Sequence, residues 1–315
     1  MFSKLCYAIL LTVSCNGLMP MTSAAAETPA VAFSGERAFS LLEQQVEMGP
    51  RVPGSAGNRR LHDLILSMAR ELGFSATSSC LTVKDPLGAD EIEICNVVVT
   101  IAAAGSPVAD RLWLGAHFDT RPIADHDPDP TRRGRPVPGA NDGASGTAIL
   151  LHLMELMHQQ APPTEVNLLF FDGEDSGPAG DAGGFCLGSK HLAASWQDFG
   201  SPLAGSVPRG LILLDMVGEK GVQIPMEGYS LQYAPQWTRQ VFERAATLGL
   251  SALVAAPGRP IYDDHVPFLG AGIPAVDLID FEYPQWHTTA DLPAACSAAS
   301  LSEVGTLVWD LIQNP

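Results

Sequence analysis

Basic residues are scarce in this sequence. Lys and Arg together number 18 against 35 Asp and Glu, giving a formal charge of −17 at pH 7. Such a surface repels phosphates and anionic headgroups, so neither nucleic acid nor anionic lipid is expected as a partner. Long apolar runs are missing as well. The run at residues 7–13 is far shorter than the roughly 20 residues a helix needs to cross a bilayer, and no later stretch reads as transmembrane. Cysteine is sparse, and no two of the six stand at C-x-x-C spacing, which argues against a zinc–cysteine site. Internal repeats and a composition break that would mark a linker are absent too, which favours one domain over several.

What is present begins with an export signal. Lys4 supplies a positive start, residues 7–13 an apolar core, and Ser23-Ala24-Ala25-Ala26 a small-residue cleavage stretch. Residues 1–26 are therefore expected to be a signal peptide and the product exported, periplasmic or secreted. Lipid anchoring at Cys15 is the weaker alternative, because Thr12-Val13-Ser14-Cys15 lacks the usual Leu three before the Cys. Residues 27–315 suit one large α/β catalytic domain. They retain Cys80, Cys95, Cys186 and Cys296, an even number for an oxidising compartment. Cys80 and Cys95 flank a hairpin turning at Asp85-Pro86-Leu87-Gly88. A bridge there leaves Cys186 and Cys296 to pair or to stay free and buried; all four as reduced core thiols is the alternative.

Ser34 is a candidate N-cap for a helix over residues 36–48, and a second helix ends at Leu72 before Gly73. Residues 77–83 and 91–102 read as the hairpin strands. Short apolar runs at 111–116, 166–171, 210–214 and 273–278 read as buried strands. Helical spacing occupies 144–159, 189–195, 235–248 and 301–312. Residues 118–139, with several prolines and charges, form a long loop expected to wall the site. Strands alternating with helices predict a mixed, mostly parallel sheet flanked by helices, in a single α/β domain.

Short acidic and histidine motifs follow these apolar runs: His117-Phe118-Asp119, Asn141-Asp142-Gly143, Asp172-Gly173-Glu174-Asp175, Leu214-Asp215, Asp263-Asp264-His265 and Trp286-His287. Taken singly, each acid would more commonly cap a helix or sit on the surface. Together they can converge on a metal. A catalytic zinc takes three protein ligands and keeps a position open. Asp142, Asp175 and His287 can supply such a set, with Glu174 placed as general base.

These motifs, with Gly188-Ser189-Lys190-His191-Leu192-Ala193 and Asp263-Asp264-His265-Val266-Pro267-Phe268-Leu269, resemble the animal-type glutaminyl cyclases (glutaminyl-peptide cyclotransferases) and their bacterial relatives. That family belongs to the zinc-aminopeptidase clan, and the resemblance runs from about Gly49 to the C-terminus. It implies a zinc-aminopeptidase-like (phosphorylase/hydrolase-like) fold and one zinc held by Asp142, Asp175 and His287. It implies Glu174 as proton shuttle, Asp215 as the acid facing the substrate amide, Asp263 in the adjoining network, and Trp286 in the substrate pocket. The implied reaction turns the N-terminal Gln of a peptide into pyroglutamate and ammonia. Two positions depart from the animal pattern: Asp175 stands where Glu is usual, and Asp277 where a His is usual. A di-zinc aminopeptidase is the main rival, with His117 and Asp215 holding a second zinc and Asp142 bridging. A non-catalytic binding module is the third reading.

Overall fold

The computed structural model describes residues 31–105 and 111–315, together with Met1, Phe2 and Lys4. The expected signal peptide, with Cys6 and Cys15, lies outside the described residues apart from those first positions. Val31–Pro315 forms one compact unit.

Six strands make the main sheet: β1 (Ser75–Lys84), β2 (Glu91–Ile101), β3 (Arg111–His117), β4 (Glu165–Phe171), β5 (Gly210–Asp215) and β8 (Ala275–Ile279). Their order is β1-β2-β4-β3-β5-β8. The two outer pairings, β1 with β2 and β2 with β4, are antiparallel. β4, β3, β5 and β8 run parallel, so the mixed, mostly parallel sheet is as the sequence implies. β3 and β5 are buried at every position, which is why they read as unbroken apolar runs.

Period-two alternation then sorts the strand residues between two layers. Leu112, Leu114, Ala116, Leu168, Ile212 and Leu214 face the larger core. There they meet the helices α1 (Gly35–Glu47), α2 (Ala56–Glu71), α3 (Ala144–Gln159), α6 (Pro235–Leu248) and α8 (Ala298–Gln313). Trp113, Leu169, Phe171, Leu211 and Leu213 face the other side. They pack on α4 (Leu187–Ser195) and α7 (His265–Gly270). Close packing has a local requirement at Gly146 in α3: a Cβ there would fall 2.0 Å from the Leu214 carbonyl oxygen. The helix therefore lies directly on β5.

Ser34 caps α1 as expected, accepting from the Arg37 N–H at 3.2 Å. A small parallel pair, β6 (Ile224–Met226) with β7 (Leu253–Pro257), and the short helices α5 (Gly228–Tyr233) and α7 were not anticipated. Cys80 and Cys95 face each other across the hairpin register and are bridged. A second bridge between Cys186 and Cys296 does not form; both thiols are free and buried. Each is tied elsewhere. The Cys186 N–H donates to the Glu174 carbonyl at 2.8 Å, whereas Cys296 lies in a bridge with Glu219 beneath α8. No helix among the described residues is long and apolar enough to cross a membrane.

Candidate metal centre and its cavity

Parallel strands release their chain at one edge, and in open α/β sheets ligands collect outside that carboxyl edge. β3 ends on His117, β5 ends on Asp215, and the acidic turn Asp172–Asp175 follows β4. Asp142 joins them just before α3. Its neighbour Gly143 has φ +96°, and a Cβ there would meet the Asp119 carbonyl oxygen at 2.5 Å, so the turn into the helix requires glycine.

Two donor sets result, sharing Asp142. In the first, Asp142, Asp175 and His287 bring their donor atoms within 4.8 Å of one another. His287 Nε2 lies 3.2 Å from Asp175 Oδ1 and 3.8 Å from Asp142 Oδ2. In the second, His117 Nε2 lies 3.1 Å from both Asp142 Oδ1 and Asp215 Oδ1. All five side chains are buried. Asp175 Oδ2 has no hydrogen-bond partner among the described residues, an orphan acceptor that a bound cation would satisfy.

The electrostatics also ask for positive charge. Burial opposes protonation of His287, yet Asp175 and Asp125 outweigh it and push the imidazole up to about 9. Burial likewise opposes charge on His117, and Asp215, Asp119 and Asp142 reverse it, raising it well above its usual range. Carboxylates that favour positive charge on these imidazoles would equally favour a metal cation in the proton's place. Oxygen and imidazole donors without thiolate suit zinc. The residues fit the ion.

Supporting groups fix these donors. The Asp119 carboxylate accepts from the N–H groups of Glu174 (3.1 Å) and Asp175 (3.2 Å). Asp119 Oδ1 also lies 3.4 Å from His117 Nδ1, so one acid orients three site residues. Arg121 donates to Asp175 Oδ1 at 3.0 Å and forks onto Asp125 at 2.8 and 2.7 Å. Asp125 in turn lies 3.4 Å from His287 Nδ1, placing a carboxylate behind the ring. Asp291 accepts from the N–H groups of Asn141 (2.8 Å) and Asp142 (3.1 Å) and from the Tyr283 hydroxyl (2.7 Å). Sequence reasoning passed over Arg121, Asp125, Tyr283 and Asp291. Nothing in their local sequence sets them apart from ordinary turn residues.

A cavity of about 440 Å³ opens onto both sets. Glu174, Asp215 and Asp263 lie along it with Ile261, Ile279, Phe281 and Trp286. The Trp286 ring stacks on His287 with centroids 3.7 Å apart. Burial, and then the Asp175 charge, pushes Glu174 well above the usual carboxylate range. Burial and Asp215 push Asp263 up to about 7. Asp277, the departure from the animal pattern's usual His, is buried 3.7 Å from His265 Nδ1. Burial, then Asp263, raises it well above its usual range.

The profile of Peptidase family M28 matches residues 96–312. The chain belongs to that family. Among its solved relatives is the glutaminyl cyclase of Porphyromonas gingivalis, 32% identical, with a TM-score of 0.81 over 89% of this chain and 98% of that one. A Zn-dependent exopeptidase from Parabacteroides distasonis is similar at 30% identity and a TM-score of 0.82, over 91% of this chain and 100% of that one. The glutaminyl-peptide cyclotransferase-like protein of Mus musculus is 29% identical over 78% of this chain. The chain spans 66% of that relative's length.

Proposed function

We propose that this protein is a zinc-dependent glutaminyl-peptide cyclotransferase, converting the N-terminal Gln of exported peptides or proteins to pyroglutamate with release of ammonia. The observation that carries the reading is the cavity: Glu174 and two further acids line it with an aromatic wall stacked on His287. Similarity to bacterial glutaminyl cyclases supports it.

Asp142, Asp175 and His287 would hold the zinc, which when bound supplies Lewis-acid polarisation of the Gln side-chain carbonyl. Trp286, Phe281 and Ile279 would wall the Gln side chain in a bent, ring-closing shape and exclude water, the proximity effect that favours intramolecular attack. The Glu174 carboxylate accepts a proton from the α-amine as the new C–N bond forms. It then passes that proton to the departing amide nitrogen, which leaves as ammonia. A carboxylate whose affinity for protons is raised well above its usual range by burial and by Asp175 suits this two-way traffic. Asp215 and Asp263 would accept hydrogen bonds from the amide nitrogen before it leaves. Asp119, Arg121, Asp125 and Asp291 hold the working groups in register.

One observation favours a second reading. His117, Asp142 and Asp215 make a complete second donor set, as a di-zinc aminopeptidase requires. Incubating the purified protein with Gln-initiated peptides and with Leu-amides separates the two. Ammonia release, with the product's loss of 17 Da in mass (about that of ammonia), supports the cyclotransferase. Free leucine without cyclisation, together with two tightly bound zinc ions, would establish the aminopeptidase.

A further inference from the structure

A third group of donors includes Glu174 and shares none of the five residues of the first two sets. Glu174, Cys186 and Asp263 place one ligand atom each within 4.8 Å of the other two. Cys186 is fully buried and Asp263 is 3% exposed. The thiol donates to Glu174 Oε1 at 3.5 Å. Asp263 Oδ1 accepts from the Asp264 N–H at 2.5 Å, while Asp263 Oδ2 is buried with no hydrogen-bond partner among the described residues.

The backbone holds the thiol in place. Cys186 has φ 54° and ψ 37°, a left-handed conformation that side chains other than Gly and Asn rarely adopt. It is kept there by two hydrogen bonds: its own N–H to the Glu174 carbonyl at 2.8 Å, and the Leu187 N–H to the Gly173 carbonyl at 3.1 Å. Such strain persists where the surroundings fix it, often at working sites.

We propose that Glu174, Cys186 and Asp263 form an inhibitory site for a thiophilic divalent cation, cadmium or zinc in excess, entered from the catalytic cavity. A thiolate with two carboxylates is a donor set for such ions, and the proposed zinc ligands contain no sulfur. Tetrahedral bonds of about 2.0–2.3 Å set donors roughly 3.3–3.8 Å apart, a spacing that the Cys186 thiol and Glu174 Oε1 already have at 3.5 Å. Binding breaks the S–H bond, forms the sulfur–metal bond and releases the proton to water. The ion then occupies the carboxylate that would otherwise take the substrate's proton. The inhibitory half rests on Glu174 being the proton carrier; the site itself does not.

The test is titration of the zinc-loaded protein with cadmium chloride, following the ultraviolet charge-transfer band of a cadmium–thiolate bond. One equivalent should develop the band with the zinc still bound. Cys186→Ser should abolish it, and Cys296→Ser should leave it unchanged. Asp263→Asn, a second variant in case Cys186→Ser fails to fold, should weaken cadmium binding about tenfold or more. No band in the unaltered protein, or a band that survives Cys186→Ser, overturns the site. Where Gln-peptides are cyclised, inhibition by cadmium should rise in step with the band and vanish in Cys186→Ser, relative to that variant's own rate. A full band without inhibition overturns the inhibitory role. Absence of cyclisation would sink the enzymatic reading while the band still decides the site.

Discussion

The Asp119 carboxylate straddles the peptide unit that joins Glu174 to Asp175, accepting the N–H of each at 3.1 and 3.2 Å. A proposed base and a proposed ligand are adjacent in sequence and would face different tasks. The one acid fixes the backbone of both. Asp119→Asn keeps the shape but replaces one acceptor oxygen by a donor amide, which cannot accept from the second N–H. We expect zinc affinity to fall about 10–100-fold, the usual cost of losing a supporting partner, with thermal stability lowered as well. Competition with a chromogenic chelator measures the first; unchanged affinity would mean the turn is held by other contacts.

Glu174→Gln should reduce kcat by about 10²–10⁴, the range of a general acid–base group, while zinc content stays at the unaltered level. Steady-state rates with a Gln-peptide, alongside elemental analysis of the same sample, test both halves. A variant within tenfold of normal would show that proton transfer runs elsewhere.

The two donor sets predict different losses. His287→Ala should remove the catalytic zinc and all turnover. His117→Ala should leave one zinc per chain, because His117 contributes to the second set alone. Equal loss of metal in both variants would show the sets to be a single cooperative dinuclear site.

Acid stability should depend on Glu227. Burial opposes its charge, but His265 Nε2 at 3.0 Å and the capped N–H groups of Tyr229 and Ser230 hold it at about 2, below its usual 4.5. A folded-state value below the unfolded one adds stability above about pH 4.5, and that stability is lost as pH falls toward 2. Glu227→Gln should therefore cost up to about 3 kcal/mol at neutral pH and little near pH 2. Urea unfolding at the two pH values reads the difference, and an equal cost at both would point to packing instead.

Much of this was legible in the sequence because it is local. A buried parallel strand writes itself as an apolar run, and its carboxyl end is where the next polar residue falls. That rule located His117, Asp215 and the Asp172–Asp175 turn. Elements whose form depends on distant partners were not legible. β7 is mostly exposed and carries Ala-Ala-Pro, and α7 contains Pro267, so neither shows a period. Asp291 lies 149 residues from Asp142 in sequence, yet it accepts that residue's N–H. Cys186 looked like a partner for Cys296 by count alone; its left-handed backbone and its hold on the Glu174 turn were invisible.

Arg51 is fully buried, and its guanidinium donates to the carbonyls of Phe118 (3.2 Å), Pro138 (2.8 Å) and Gly139 (2.5 Å). Those three carbonyls belong to the two feet of the 118–139 loop. One side chain thus staples the excursion shut at its base, as the hinge post of a gate fixes both bars whatever their length. The turn at Pro130–Arg132 lies between those feet and is capped from within the loop by Asp129. Because Phe118 precedes Asp119 and Gly139 comes three residues before Asp142, the same staple pins the chain on both sides of the metal centre.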